Sequence, residues 1–373
     1  MKSGNRKTDP GRRLTNLYAF NQASHWFLIG LIIPVLTLFQ IEKGYDLFFV
    51  ALLGTVSSLT VVFLELPTGG LSDTIGRKRV YLLSLVFQLF GAVLLVGARG
   101  PGFMVAGMVS LGSARALFSG SIDSWFVDEF YRVAEKRSLQ NALARVNVFI
   151  PVGLGADALV GGFLPEVPGR YIEAQFHITR YSANFLVMIP LILAQMALTA
   201  CMVHEHRAIR VQHGFRSGME RVAAVVGSAA RIGFRDRAVF LMLLGSLAWG
   251  VGFSGLESFW QPRYRIVAGP RFLSVHLGFL TAAYFSAGAL GSALAPGITA
   301  LAGGRRILSL TLSRLLQGGL FFLLILQAGA GISLLFIGWL ANTRGIPTAW
   351  LVSAGVLTIS AGAYAALPRH QPA

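Results

Sequence analysis

Apolar runs long enough to cross a lipid bilayer recur along the whole chain, and no other feature constrains its fold as much. They fall at about 14–39, 47–67, 80–98, 101–127, 142–165, 182–203, 238–260, 273–298, 307–328 and 346–367. A helix needs about 20 mostly apolar residues to span the hydrocarbon layer. In lipid every backbone polar group must be bonded within its own segment, so such runs become helices. A further apolar stretch, 330–341, is too short to cross alone. Only 13% of the residues are charged, against about 25% in an average soluble domain, so there is too little charge to cover a soluble surface. The predicted class is an all-α polytopic membrane protein with about 10–11 transmembrane segments. Disordered, collagenous, coiled-coil and disulfide scaffolds are excluded, and the single Cys201 forms no intrachain disulfide.

The distribution of Lys and Arg predicts orientation. With the N-terminus inside, 21 basic residues fall in inner segments and 8 in outer ones. That bias places the N-terminus in the cytoplasm. The outer stretch with Arg263, Arg265 and Arg271 departs from it. The net charge of +16 does not mark a nucleic-acid binder, because the basic residues lie between apolar runs rather than in one patch. The one sizeable polar interruption divides the chain into 1–203, a linker over 204–237, and 238–373. Within the linker, Val222, Val225, Val226 and Ala229 share a helical face, as an interfacial helix would require, although a plain linker also fits.

After the second run come Gly69, Gly70, Leu71, Ser72, Asp73, Thr74, Ile75, Gly76, Arg77, Lys78 and Arg79. Physically this predicts a tight cytoplasmic turn: glycines for close approach, Asp73 to cap or pair, and a basic run on the inner side. The pattern resembles the signature loop between helices 2 and 3 of the Major Facilitator Superfamily, G-x-L-x-D-x-x-G-R-K, at every fixed position. Glu65, Leu66, Pro67 and Thr68 just before it are similar to the drug-exporter-like bacterial branch. The resemblance implies two six-helix bundles, a midplane cavity and rocking-type alternating access. It also implies a gate built from Gly69, Asp73, Gly76, Arg77 and Lys78, with Asp128 pairing Arg77 as an inner latch. A solvated helix end is the other reading of Asp128.

An internal repeat agrees. Gly69, Gly76, Arg77 and Lys78 recur 228 residues later as Gly297, Gly304, Arg305 and Arg306, while Leu301 stands where Asp73 would recur. The same offset leaves the second half about 58 residues, or roughly two spans, shorter than the first, with the join expected near 328–331. The fourth run carries Arg115 before Ser119 and Gly120, similar to the superfamily's helix-4 pattern. The fifth carries Gly153, Gly155, Gly161 and Gly162, resembling an antiporter glycine pattern, with Ala158 at its proline position and Asp157 at a usual glycine.

Polar groups inside spans are costly and mark function by default. Tyr18, Asn21, Gln22 and His25 share one face of the first span and predict a cavity wall; helix–helix hydrogen bonding is the alternative. His25, the side-chain type that changes charge nearest neutral pH, is one candidate proton site. Arg115, Ser119 and Asp123 stack at i, i+4 and i+8, and Arg115 needs an anion. Asp157 is the candidate partner, either as a proton-coupling pair or as a permanent ion pair. Glu257 and Trp260 are candidate cavity residues near the outer end of the seventh span.

No phosphate-cradling loop, metal-ligand spacing or nucleophile elbow is present, so neither an enzyme nor an ATP-driven pump is expected, and no cofactor or metal. The expected function is secondary transport by a monomer in the lipid bilayer: proton-coupled export of small amphipathic compounds. Uptake or facilitated diffusion of a small polar solute is the alternative, as is a shortened relative that no longer transports.

Overall fold

A computed structural model describes residues 10–133, 138–205, 227–228, 230–301 and 315–316. Every regular element among the described residues is helical. In chain order these are α1 (Pro10–Gly30), α2 (Leu36–Glu42), α3 (Leu47–Ile75), α4 (Arg77–Val96), α5 (Pro101–Ser119) and α6 (Ile122–Val133). They continue as α7 (Leu139–Phe163), α8 (Pro168–Phe176), α9 (Ser182–Met202), α10 (Arg237–Ala268), a 3-10 turn (Gly269–Arg271) and α11 (Ser274–Leu301). Six helical stretches among the described residues are long and apolar enough to cross a membrane. Large apolar side chains face outward along them, Phe63, Phe163 and Leu247 among others, as a lipid solvent permits. The expected join at 328–331, the second signature copy at Gly304, Arg305 and Arg306, and most of the expected linker lie outside the described residues.

Local chemistry sets several helix ends. Pro101 and Pro168 open their helices in the first turn, where a missing N–H costs nothing. Asp236 caps α10 by accepting from the Ala238 and Val239 amides at 2.8 and 3.2 Å. Three continuous runs in the sequence are broken or extended in the structure. The first ends as α1 at Gly30 and passes through turns at 31–35, beside Pro34, before α2. The fourth breaks at Gly120 and Ser121 into α5 and α6. The expected tight turn at 69–79 is mostly helix: α3 continues through Pro67 to Ile75, and Gly76 alone makes the break, at φ 99°.

The described chain forms two compact units. One comprises residues up to 34, 56–220 and 274–289; in it α1 packs on α7, and α4 packs on α5 and α9. The glycines of α7 explain the first of these contacts. A Cβ on Gly161 would lie 2.5 Å from the Leu31 carbonyl oxygen, so α1 and α7 meet backbone to backbone. Gly162 and Gly278 do the same between α7 and α11: a Cβ on Gly162 would lie 2.8 Å from the Gly278 backbone. Asn184 on α9 locks the end of α1, donating to the Leu31 and Gly161 carbonyls at 2.6 and 2.7 Å.

The described residues of the second unit are 35–55, 227–228, 230–273, 290–301 and 315–316. Phe259 of α10 packs with Val50 and Ala51. Thr37 donates to the Ser258 carbonyl at 3.0 Å. Arg265, one of the basic residues that departs from the inside bias, pairs with Glu42 at 3.0 Å and lies over the Phe272 ring.

Candidate functional site

A cavity of about 460 Å³ opens in the first unit between α1, α5, α6 and α7. Volumes of this order suit small organic ligands. Among the described residues its lining mixes apolar side chains, Trp26, Phe118, Val127, Leu143 and Ile150, with the polar Tyr18, Gln22, Ser124 and Asn147 and the charged Arg77, Asp123 and Asp128.

Asp123 is the best-organised polar group in the cavity. Tyr18 donates its hydroxyl to Asp123 Oδ1 at 2.6 Å, and the Gln22 amide donates to the same oxygen. Tyr18 is itself fixed, stacked on Phe126 with ring centroids 4.1 Å apart. Of the predicted stack on the fourth span, only Asp123 borders the cavity. Arg115 and Ser119 are exposed on α5, and Ser119 donates to Glu65 at 3.3 Å and to the Ala116 carbonyl at 3.1 Å. The cause is the break at Gly120, which ends the i, i+4, i+8 register before it reaches Asp123.

The polar face of α1 is also divided. Tyr18, Asn21, Gln22 and His25 cover an arc of about 100° at 100° per residue. Tyr18 and Gln22, on one edge of that arc, line the cavity. Asn21 and His25, on the other edge, are buried and bonded toward α4 and α9, so the expected cavity wall does not include them. His25 Nδ1 lies 3.2 Å from the Tyr81 hydroxyl, and its ring stacks on Phe118 at 3.8 Å. Gln195 donates to that hydroxyl at 3.0 Å, and Asn21 donates to Thr199 at 3.1 Å. Gln195 and Thr199 stand at i, i+4 in the sixth run, a polar pair that reads directly from the sequence once sought.

Asp157 does not meet Arg115. Helix α7 packs on α1 whereas α5 packs on α4, so the two side chains belong to different contacts. Asp157 is fully buried, and neither carboxylate oxygen has a hydrogen-bond partner. It presses against Gly30, where a Cβ would lie 2.2 Å from both oxygens. Glu257 and Trp260 lie on α10 in the second unit, Glu257 exposed and Trp260 partly buried.

At the junction of α3 and α4 the basic run is anchored on three sides. Arg77 pairs with Asp128 at 2.6 Å and donates to the Ser124 carbonyl. Lys78 donates to the Ala200 carbonyl at 2.7 Å, at the C-terminal end of α9. Glu205 accepts from the Arg77 and Lys78 backbone amides at 2.7 and 3.3 Å, capping the start of α4. A Cβ on Gly76 would meet this carboxylate at 2.7 Å. Sequence reasoning missed Glu205, which stands 128 positions from Arg77. Gly69 and Asp73 fall within α3, and the side chain of Asp73 lies outside the described residues.

A sequence model of the Major Facilitator Superfamily matches residues 18–359. The chain belongs to that superfamily. A curated relative, the MFS-type transporter YxaM of Bacillus subtilis (strain 168), is 21% identical over 249 residues. The match spans 66% of this chain and 57% of that protein. Solved superfamily folds are similar too. The nucleoside transporter NupG aligns with a TM-score of 0.63 at 12% identity, covering 94% of this chain and 79% of that one. A bacterial homologue of the human drug peptide transporters PepT1 and PepT2 aligns at 0.61 and 13% identity, covering 95% and 88%. A bacterial homologue of the human lysosomal transporter Spinster aligns at 0.59 and 15%, covering 96% and 75%. The chain is therefore a multi-pass membrane protein of a transporter superfamily. Arg77, anchored in this way, is also one of the residues that line the cavity.

Proposed function

We propose that this superfamily member is a proton-coupled exporter of small amphipathic compounds, acting by alternating access as a monomer in the bacterial cytoplasmic membrane. Its bundles are 1–203 and 238–373, joined through 204–237, with the N-terminus cytoplasmic. The observation that carries the reading is the cavity's mixed lining, in which Trp26, Phe118, Val127, Leu143 and Ile150 accompany the carboxylate of Asp123. Such a lining suits a ligand with an apolar body and a polar group. The Arg77–Asp128 pair serves as the inner latch, and Gly69, Asp73, Gly76 and Lys78 of the signature segment belong to the same gate.

Asp157 is the proton site. Its carboxyl is fully buried against Gly30 and neither oxygen has a hydrogen-bond partner, so gain or loss of a charge there favours a different packing. The α1–α7 contact that buries it is then the element that rearranges. The test is transport of a fluorescent amphipathic dye as a function of pH. Asp157→Asn should flatten the pH dependence while leaving the protein in the membrane. An unchanged pH profile would make Asp157 structural and overturn this assignment, and net uptake driven by the same gradient would overturn the export direction.

A further inference from the structure

We propose that Glu166 is an acid-released clasp between two helices from opposite halves of the sequence. As a carboxylate it holds the start of α11 against the end of α7, and as a neutral acid it lets them part. This carboxyl is distinct from Asp157, and the clasp requires neither the export direction nor a particular substrate.

Glu166 lies just past α7, in the turn that leads into α8. Its Oε1 accepts from the Ser274 backbone amide at 2.6 Å. Ser274 is the first residue of α11, so this amide has no partner within its own helix. The helix dipole also favours a negative charge beside it. Glu166 Oε2 accepts from Arg170 of α8 at 2.6 Å, and Arg180 stands near. Only 9% of the Glu166 side chain is exposed. The backbone around it is fixed as well: a Cβ on Gly169 would lie 2.5 Å from the Arg180 carbonyl oxygen.

The contact that Glu166 closes is tightest beside it. A Cβ on Gly162 would lie 2.8 Å from the Gly278 backbone and from the Ser274 carbonyl oxygen, and one on Gly278 would lie 2.6 Å from the Ala158 carbonyl oxygen. A Cβ on Gly155, about two turns further from Glu166, would lie 3.8 Å from the Ala282 carbonyl oxygen. The two helices converge toward Glu166 and diverge away from it. The cavity meets the other half of α7, at Leu143, Asn147 and Ile150, so the clasp is separate from it.

A proton on Glu166 weakens both bonds, because hydrogen bonds to an ionised group are about twice as strong as neutral ones, and it removes the attraction to the α11 dipole. The donors hold this carboxyl below its ordinary value of 4.5, so the clasp is closed at neutral pH and opens as pH falls through the lowered value. The other titratable groups on the adjoining elements are Glu173 on α8, His177 at its end and His276 on α11. Arg170 and Arg180 stay charged throughout.

The test is double electron–electron resonance between spin labels at Tyr171→Cys and Phe279→Cys, in the full chain carrying Cys201→Ser, in lipid nanodiscs. One short distance should dominate at neutral pH. Acidification below pH 4.5 should add a distance longer by about 5 Å or more, the scale of one helical turn. Glu166→Gln should show the longer distance already at neutral pH and respond no further to acid. His177→Gln, His276→Gln and Glu173→Gln should each keep the response of the parent. The parent titration needs no change at Glu166, so a poorly folded variant does not blunt the test. A parent distance unmoved down to about pH 3, a well-folded Glu166→Gln protein that stays closed, or one that still opens with acid would each overturn the clasp. Loss of the response in Asp157→Asn would assign it to that residue and overturn the clasp too. An intact response in Asp157→Asn, beside an unchanged pH profile of dye transport, would keep the clasp and overturn the proton-site assignment.

Discussion

Replacing Gly161 by Ala tests the backbone-to-backbone contact on which the first unit depends. The new Cβ would lie 2.5 Å from the Leu31 carbonyl oxygen and 3.0 and 3.1 Å from the Leu31 carbonyl carbon and Cα. Ordinary contact begins near 3.4 Å, so α1 must retreat from α7 by about 0.9 Å, and no flexible side chain can absorb the shift. Retreat also strains the two bonds by which Asn184 bridges the Leu31 and Gly161 carbonyls. Overpacking of this kind costs ~1–3 kcal/mol, and a backbone clash belongs at the upper end. The Gly-to-Ala gain in helix propensity offsets up to ~1 kcal/mol of it, leaving a net loss of ~1–2 kcal/mol. Gly250→Ala in α10 meets nothing within 4 Å, so it keeps the propensity gain alone. The assay is thermal unfolding of both variants in detergent, followed by tryptophan fluorescence. Gly161→Ala should melt several degrees below wild type, and Gly250→Ala at or slightly above it. A Gly161→Ala protein as stable as Gly250→Ala would refute the close-packing argument.

Two further expectations follow from the ends of the helices. The Glu166 carboxyl is pushed up by burial, but the Ser274 amide at 2.6 Å, the Arg170 guanidinium and nearby Arg180 outweigh this and hold it below the ordinary carboxylate range. Its contribution should therefore be fully present above its ordinary value of 4.5 and disappear as pH falls through the depressed one. The melting difference between wild type and Glu166→Gln should be constant from neutral pH to about 5 and shrink below that; a constant difference down to pH 3 would contradict it. Asp128→Asn breaks the Arg77 pair, whose acidic partner is 67% exposed. Such a pair contributes only ~0–1 kcal/mol, so melting should hardly move while turnover of the dye changes severalfold; wild-type turnover would remove the latch.

Much of this was legible in the sequence because it depends on local spacing. The glycines of the fifth span share faces, and they do admit neighbouring backbones. Arg77 and Asp128 were expected at the same cytoplasmic end, and they meet. What was not legible depends on how helices rotate against one another and where they break. An arc of about 100° on α1 contained both the cavity edge, Tyr18 and Gln22, and the packed edge, Asn21 and His25. Hydropathy alone could not separate them, because both edges are polar. The breaks at 31–35 and at Gly120 fall inside runs whose hydropathy continues across them, so they left no hydropathy signal. The one at Gly120 removed Arg115 and Ser119 from the register of Asp123. Asp157 was assigned to Arg115 because both need compensation, yet α7 turns Asp157 toward α1 and Gly30. Glu205 reaches the start of α4 from the far end of α9, a long-range contact that no spacing rule anticipates.

The most direct test of proton-driven export uses the purified chain in liposomes with an acidic lumen, following entry of a fluorescent amphipathic dye against protein-free liposomes. The account predicts accumulation that depends on the pH gradient, stops when an ionophore dissipates it, and is lost in Asp157→Asn. Accumulation that ignores the gradient, or that Asp157→Asn leaves intact, would contradict it.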